Sequence, residues 1–171
     1  LAYAGRYGGH YSYETFPRLE AEWPNLNATA EMLWARAGFA QTSEAGVDLR
    51  GFENLAGLEE INRADKTAAR QLNTLANALF KYLWFQGRWD ESNQFSERAY
   101  ALMLALENWS AAGGRAYHVA FIYSIYGRDL PDQAARWTER CNAAWERMGS
   151  KDLQAAGTRL RGLVARQQGD Y

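Results

Sequence analysis

The clearest pattern in the chain is an apolar stripe with helical spacing between residues 65 and 86. Its members recur at intervals of three and four positions: Ala69, Leu72, Leu75, Ala76, Leu79, Phe80 and Leu83. This spacing places them on one face of a helix. Asp65 stands where an N-cap residue belongs. Gly87 follows the stripe, and a glycine tolerates the positive φ of a chain reversal. The pattern therefore predicts a helix over 65–86 that ends in a turn.

The same kind of pattern continues to the end of the chain. A second helix is expected to start at Trp89 or Asp90 and to run to about Asn108. Further helices are predicted over 111–126, 130–148 and 151–168. Pro131 suits the first turn of one of them, because its missing N–H is not needed there. Sustained alternation of apolar and polar positions, the mark of a strand, is nearly absent. The predicted fold class is all-α.

The first part of the chain gives weaker signals. Tyr3, Tyr7 and Tyr11 recur every four residues and would share a helical face, although nearby glycines weaken such a helix. Pro24 predicts a kink or break. We expect residues 1–64 to form an N-terminal helical segment that packs on the later helices or leads into them.

Within this segment, a helix is predicted over 26–37 with Gly38 as its terminator. Residues 39–52 are the best candidate for an irregular connection. A short helical turn is expected near 52–58. Because apolar residues persist on both sides of the connection, we place no domain boundary there.

Three turn glycines divide the rest of the chain into similar units. Gly87, Gly127 and Gly169 lie 40 and then 42 residues apart. A period in this range is typical of a solenoid, whose units bury their cores by stacking on neighbours. The predicted units are residues 66–107, 108–150 and an incomplete 151–171. Since the last unit stops after its turn, we expect self-association through this uncapped end.

The turns carry a resemblance to the tetratricopeptide family. Phe85-Gln86-Gly87-Arg88-Trp89-Asp90-Glu91 and Gln167-Gln168-Gly169-Asp170-Tyr171 are similar to that family's turn of glycine, a polar residue, an aromatic residue and acids. The segment 132–137 resembles the start of the family's second helix. The usual repeat has about 34 residues, so these helices are longer. They resemble the long-helix variant in the repeat arms of signal-transduction ATPases and related transcription regulators.

This resemblance implies a right-handed α-solenoid of stacked antiparallel helix hairpins, which acts as a protein-binding scaffold. The segment 19–26 is similar to the stretch that leads into such arms. We therefore expect the regulatory or sensor arm of a larger signalling protein. Ser92 and Phe80 depart from the family pattern, which calls for a small apolar residue and a small residue there. The first unit is expected to pack more loosely or at a different angle.

Charge and cysteine content narrow the function further. The formal net charge of −1 does not favour nucleic acid or an acidic membrane surface, since both attract a basic protein. Cys141 is the only cysteine, so no internal disulfide forms. No run of about 18 apolar residues predicts a membrane span, and no signal peptide is recognised. We expect a cytoplasmic protein.

Catalytic chemistry is not predicted. His10 and His118 are the only histidines, and a packed imidazole is the favoured interpretation of His118. Cys141 falls on a seam of small residues, where an inert buried thiol is expected. Neither a metal nor a cofactor is implied, because no cluster of histidine and cysteine occurs. We expect a protein that is not an enzyme.

The predicted binding groove follows from helix geometry. In a stacked hairpin array the first helix of each unit lines the concave side, and residues three, four and seven apart share one face. Counting back from each turn glycine gives nine positions: Asn77, Lys81, Trp84, Tyr117, Phe121, Ser124, Arg159, Leu163 and Arg166. Aromatic and cationic side chains together suit a peptide with acidic groups. The alternatives are a small-molecule sensor with an aromatic groove, and aromatic rings that only pack in the core.

Overall fold

The structure is a computed structural model that describes residues 1–7, 13–39, 65–126 and 130–169. These ranges are helical and contain no strand, which confirms the all-α fold class. The α-helices are α1 (Ala2–Tyr7), α2 (Phe16–Ala21), α3 (Trp23–Trp34), α4 (Lys66–Phe85), α5 (Trp89–Ala105), α6 (Trp109–Tyr126), α7 (Pro131–Met148) and α8 (Lys151–Gln168). A 3₁₀ turn covers Tyr13–Thr15, and a π-helical turn covers Ala35–Phe39.

Several predictions fall outside the described residues. They are Tyr11, the connection beyond residue 39, the helical turn near 52–58, the turn glycine at 127 and the last aromatic residue, Tyr171. Nothing in the structure bears on them.

The helix is interrupted near Pro24, as predicted, but the break lies before the proline, at Glu22. Helix α2 ends at Ala21 and α3 begins at Trp23, so Pro24 occupies the first turn of α3. A proline is tolerated there and not farther inside a helix. Helix α3 then ends at Trp34, where the π-helical turn begins. Gly38 lies inside that turn and does not end the α-helix.

Helix α4 begins at the predicted N-cap. The Asp65 carboxylate accepts hydrogen bonds from the backbone N–H groups of Thr67 and Ala68, both at 3.0 Å. These are donors that a helix start leaves without intrahelical partners. The hydrogen bond from Ala68, together with the Arg36 guanidinium, holds the pKa of Asp65 below its ordinary value. Asp65 therefore stays ionised and keeps α4 capped at neutral pH.

The turn from α4 to α5 depends on Gly87, as predicted. Gly87 has a φ of +71°. Its N–H donates to the carbonyl of Trp84 at 3.2 Å, and the N–H of Arg88 donates to the carbonyl of Leu83 at 2.9 Å. This paired pattern is the Schellman motif, which needs a left-handed residue after the helix. Glycine meets that need without a steric penalty.

The turn from α5 to α6 uses the same motif without a glycine. Glu107 adopts a φ of 53°, and the N–H groups of Glu107 and Asn108 donate to the carbonyls of Leu104 and Met103. Helix α5 therefore ends at Ala105, short of the predicted end near Asn108. Asn108 instead caps α6, because its side-chain oxygen accepts from the N–H of Ala111 at 3.1 Å.

The N-terminal helices pack against α4, and α1 and α3 both contact it. Tyr82 of α4 is fully buried, and its hydroxyl donates to the carboxylate of Glu20. Arg88 lies with its guanidinium carbon 3.8 Å from the ring centroid of Trp23, close enough for a cation–π contact. Arg88 also pairs with Glu91 at 2.5 Å. These contacts fix the N-terminal segment to the turn between α4 and α5.

Helix α6 packs against four other helices. It contacts α5 before it and α7 after it, and it also contacts α4 and α8. Gly113 makes the approach of α7 possible, because a Cβ at this position would overlap the indole of Trp145. That indole donates to the Ser110 carbonyl at 3.4 Å.

Although α6 is strongly apolar, none of the helices in the described ranges is long and apolar enough to cross a bilayer.

Charge is divided unevenly between two sets of helices. The first set, α4, α6 and α8, carries eight lysine and arginine residues against one acid, Asp152. The second set, α5 and α7, carries six acids against four arginines. The net charge of −1 for the whole chain conceals this difference. Within the cationic set, α6 contacts both α4 and α8.

The packing of Gly113 gives a matched test. Gly113→Ala should lower the free energy of unfolding by about 1–3 kcal/mol, because the added methyl group overlaps Trp145. The adjacent Gly114 has no atom within 4 Å of an added Cβ, so Gly114→Ala should be neutral or raise stability by up to about 1 kcal/mol. Urea unfolding of both variants measures the difference. Equal effects of the two substitutions would show that α7 does not pack on α6 in this way.

Candidate functional site

Helices α4 and α6 meet through a row of three side-chain pairs, which we call the α4–α6 contact row. The pairs are Asn77–Arg115, Phe80–His118 and Trp84–Phe121. The first is a hydrogen bond from the guanidinium to the amide oxygen, the second a ring stack with centroids 3.6 Å apart, and the third an edge-to-face contact at 5.6 Å. Because the residue numbers rise together on both helices, α4 and α6 run parallel.

The aromatic end of the row continues to the turn between α4 and α5. The indole N–H of Trp84 donates to the hydroxyl of Tyr126 at 3.0 Å. The indole N–H of Trp89 donates to the carbonyl of Trp84 at 3.2 Å, and its ring stacks on Tyr126 with centroids 3.8 Å apart. Both indoles therefore have the hydrogen-bond partner that a partly buried tryptophan needs.

The structure places the nine predicted groove residues on three neighbouring helices. Those on α4 are Asn77, Lys81 and Trp84; those on α6 are Tyr117, Phe121 and Ser124; those on α8 are Arg159, Leu163 and Arg166. Three of them, Asn77, Arg159 and Arg166, are exposed, and the others are half-buried.

The three predicted aromatic residues are brought together. Phe121 contacts Trp84 and also lies nearly parallel to Tyr117, with centroids 6.1 Å apart. Tyr117 in turn contacts Trp145 of α7 at 5.8 Å. Ser124 donates to the carbonyl of Phe121 at 2.9 Å, within its own helix. Each ring thus packs on another ring and keeps part of its surface accessible. These residues therefore belong neither entirely to the core nor entirely to an open groove.

The α8 residues join this group only in part. Leu163 packs into the same apolar cluster as Tyr117 and Phe121. Arg159 and Arg166, also on α8, are exposed. The two cationic positions are therefore exposed on a helix that contacts α6.

Sequence reasoning missed Arg115, which is the only charged residue on α6. It is 5% exposed, and burial lowers its pKa to about 10. Its Nη2 donates to Asn77 at 2.5 Å, whereas no acceptor among the described residues reaches Nε or Nη1. A lone arginine in an otherwise uncharged helix was the available signal, since arginine is rarely fully buried unless paired.

His118 is a packed residue with an unusual environment. Its ring stacks on Phe80, and its Nδ1 is buried without a hydrogen-bond partner in the described part of the chain. Burial, and next the positive charge of Arg115, lower the pKa of His118 well below its ordinary value. The imidazole is therefore neutral at neutral pH, consistent with the packed interpretation.

Cys141 is buried, and burial raises the pKa of its thiol to about 12. The thiolate, which is the reactive form, is therefore scarce at neutral pH. Within the described ranges, no group of three or more histidine, cysteine, aspartate or glutamate residues is placed to hold a metal ion. The groups that the site does offer are aromatic faces, an amide and guanidinium N–H donors.

Comparison of the chain with protein-family models, with curated proteins and with solved structures gives no match. The function proposed below therefore depends on the geometry and charge of the helices and on the resemblance of the turn segments.

The environment of His118 predicts an acid-sensitive stability. The unfolded chain gains a proton on His118 below about pH 6.5, whereas the folded chain does not, so stability falls as the pH drops below that value. His118→Phe keeps the ring stack and removes the titration. Between about pH 7.5 and 5.5, wild type should lose about 1 kcal/mol more stability than the variant in urea unfolding. An imidazole that titrates near pH 6.5 by NMR in the folded protein would contradict this account.

Proposed function

We propose that this chain is a tetratricopeptide-like, long-helix repeat scaffold whose α4, α6 and α8 together bind an acidic protein or peptide partner. The observation that carries the proposal is the division of charge: the three helices hold eight lysine and arginine residues and one acid. The chain would act in recognition, as the regulatory or sensor arm of a larger signalling protein, and would not catalyse a reaction.

The order and direction of the helices support the repeat. Helices α4 and α8 are each followed by a glycine in the left-handed region, Gly87 at +71° and Gly169 at +81°. These two glycines are the ends of the predicted 40- and 42-residue spacings. Helix α4 runs parallel to α6 and contacts it, and α6 contacts α8. This is the arrangement expected of equivalent helices in successive hairpins of a right-handed α-solenoid.

The mixture of side chains supports a peptide partner. Half-buried aromatic rings at Trp84, Tyr117 and Phe121 provide anchoring surface at low cost in side-chain entropy. Arg159 and Arg166 are exposed on α8, which contacts α6, and can bind carboxylates through paired N–H groups. A cationic face also attracts an acidic partner before contact and so accelerates association.

The proposal is tested with an array of short peptides that differ in Asp and Glu content. We expect selective binding of peptides that combine acids with an aromatic or aliphatic residue. The double variant Lys81→Glu with Arg159→Glu should weaken that binding by about tenfold or more, since it replaces attraction by repulsion at two positions. Affinity is measured by fluorescence anisotropy of the selected peptide, and helix content by circular dichroism.

The matched control changes the charge equally on another helix. Arg136 and Arg147 are exposed on α7, and their replacement by glutamate should alter affinity by no more than about twofold if binding is confined to α4, α6 and α8. Equal losses in the two double variants would contradict the assigned face. Binding to a short oligonucleotide but to none of the peptides would contradict the assigned partner.

A further inference from the structure

The α4–α6 contact row contains a buried positive charge that the described part of the chain does not neutralise. Arg115 is 5% exposed, yet none of its ion-pair or hydrogen-bond partners among the described residues is a carboxylate. Its one hydrogen-bond partner among the described residues is the neutral amide of Asn77. Taking a charged group out of water without a counter-charge is costly.

No acidic side chain of a neighbouring helix is hydrogen-bonded to Arg115 among the described residues. Neither α4 nor α6 contains an Asp or a Glu. On α5, Glu91 pairs with Arg88 at 2.5 Å. Burial raises the pKa of Glu97 to about 7, against the positive charge of Arg140 on α7. The polar groups nearest along the row are also neutral: the Asn73 side-chain oxygen, which is buried without a described partner, and the imidazole of His118.

We propose that Arg115 is the buried anchor for an oxyanion of the acidic partner, either a carboxylate or a phosphate. The oxyanion enters beside Asn77 and replaces its amide oxygen as the acceptor for the guanidinium. This inference rests on the proposed function, because it names the group by which the partner is recognised.

The geometry of the site fits this role. Asn77 is exposed and its amide oxygen accepts the hydrogen bond from Nη2 of Arg115, so displacement of this side chain would bring a ligand from solvent toward the guanidinium. The guanidinium has five N–H donors in a planar fork that matches carboxylate and phosphate oxygens. Nε and Nη1 lack acceptors among the described residues, so an entering oxyanion would find donors that are already oriented. Asn73, one helical turn away on the same face of α4, completes the polar end of the row.

An internal carboxylate tests the inference without a ligand. Asn77→Asp places a carboxylate where the amide oxygen now accepts the Arg115 hydrogen bond. The melting temperature at pH 7 should rise by about 3 °C or more, because the buried charge gains its counter-charge. The rise should disappear as the pH falls through the pKa of the new carboxyl. A variant that melts at or below the wild-type temperature at pH 7 would overturn the proposal.

Small anions provide the second test. Sodium acetate, sodium phosphate and sodium chloride are compared at equal ionic strength by melting temperature and by the NMR signal of the Arg115 side-chain N–H. We expect a saturable change with acetate, phosphate or both, and none with chloride. Acetate binding identifies a carboxylate as sufficient, whereas a response to phosphate alone identifies a phosphorylated partner. The same response to all three salts would overturn the proposal.

Two variants give the controls. Asn77→Asp should abolish the anion response, since its own carboxylate occupies the site, and Arg115→Met should abolish it by removing the donors. If Arg115→Met does not fold, the Asn77→Asp comparison alone decides. Loss of peptide binding in Lys81→Glu with Arg159→Glu, without any anion response at Arg115, would leave the proposed function standing and remove only this site. An anion response without peptide binding would show that Arg115 binds an oxyanion and would contradict the proposed peptide partner.

Discussion

The structure depends on the packing of α6, an apolar helix that has to be covered on several sides at once. Its one charged residue, Arg115, is itself buried. Small residues such as Ala112, Gly113 and Ala116 are fully or largely buried and let neighbouring helices come close. Removing this apolar surface from water is the main favourable contribution to association of the helices. Because α4, α5, α7 and α8 all contact α6, its orientation determines which faces of its neighbours remain available to a partner.

That arrangement connects packing to recognition. The side chains of α4 and α6 that contact each other also border the surface that we assign to binding. Trp84 and Phe121 support each other, and Asn77 lies between solvent and the buried guanidinium of Arg115. Burial makes such a charge expensive when it is alone and effective when it is paired, because hydrogen bonds to charged groups are the strong ones. A stability cost in the free protein and a specific contact in the complex would then have the same origin.

Local rules predicted the helices well, whereas the site depended on contacts between helices. The cap at Asp65, the turn at Gly87 and the first-turn proline at 131 all follow from the chemistry of single residues. Glu107 in the left-handed region could not be predicted in that way, because nothing in glutamate favours it. Arg115 was overlooked because its significance lies in what surrounds it. The net charge was also a poor guide, since it averages over helices that differ in sign.

The central claim is that α4 and α6 lie parallel and in direct contact through the row of three side-chain pairs. A NOESY spectrum of isotope-labelled protein tests it most directly. We expect cross-peaks between the ring protons of Phe80 and the imidazole of His118, and between the indole of Trp84 and the ring of Phe121. The stacked and edge-to-face distances of 3.6 and 5.6 Å between ring centroids require both. Absence of both sets of cross-peaks in a protein that retains its helices would contradict the account.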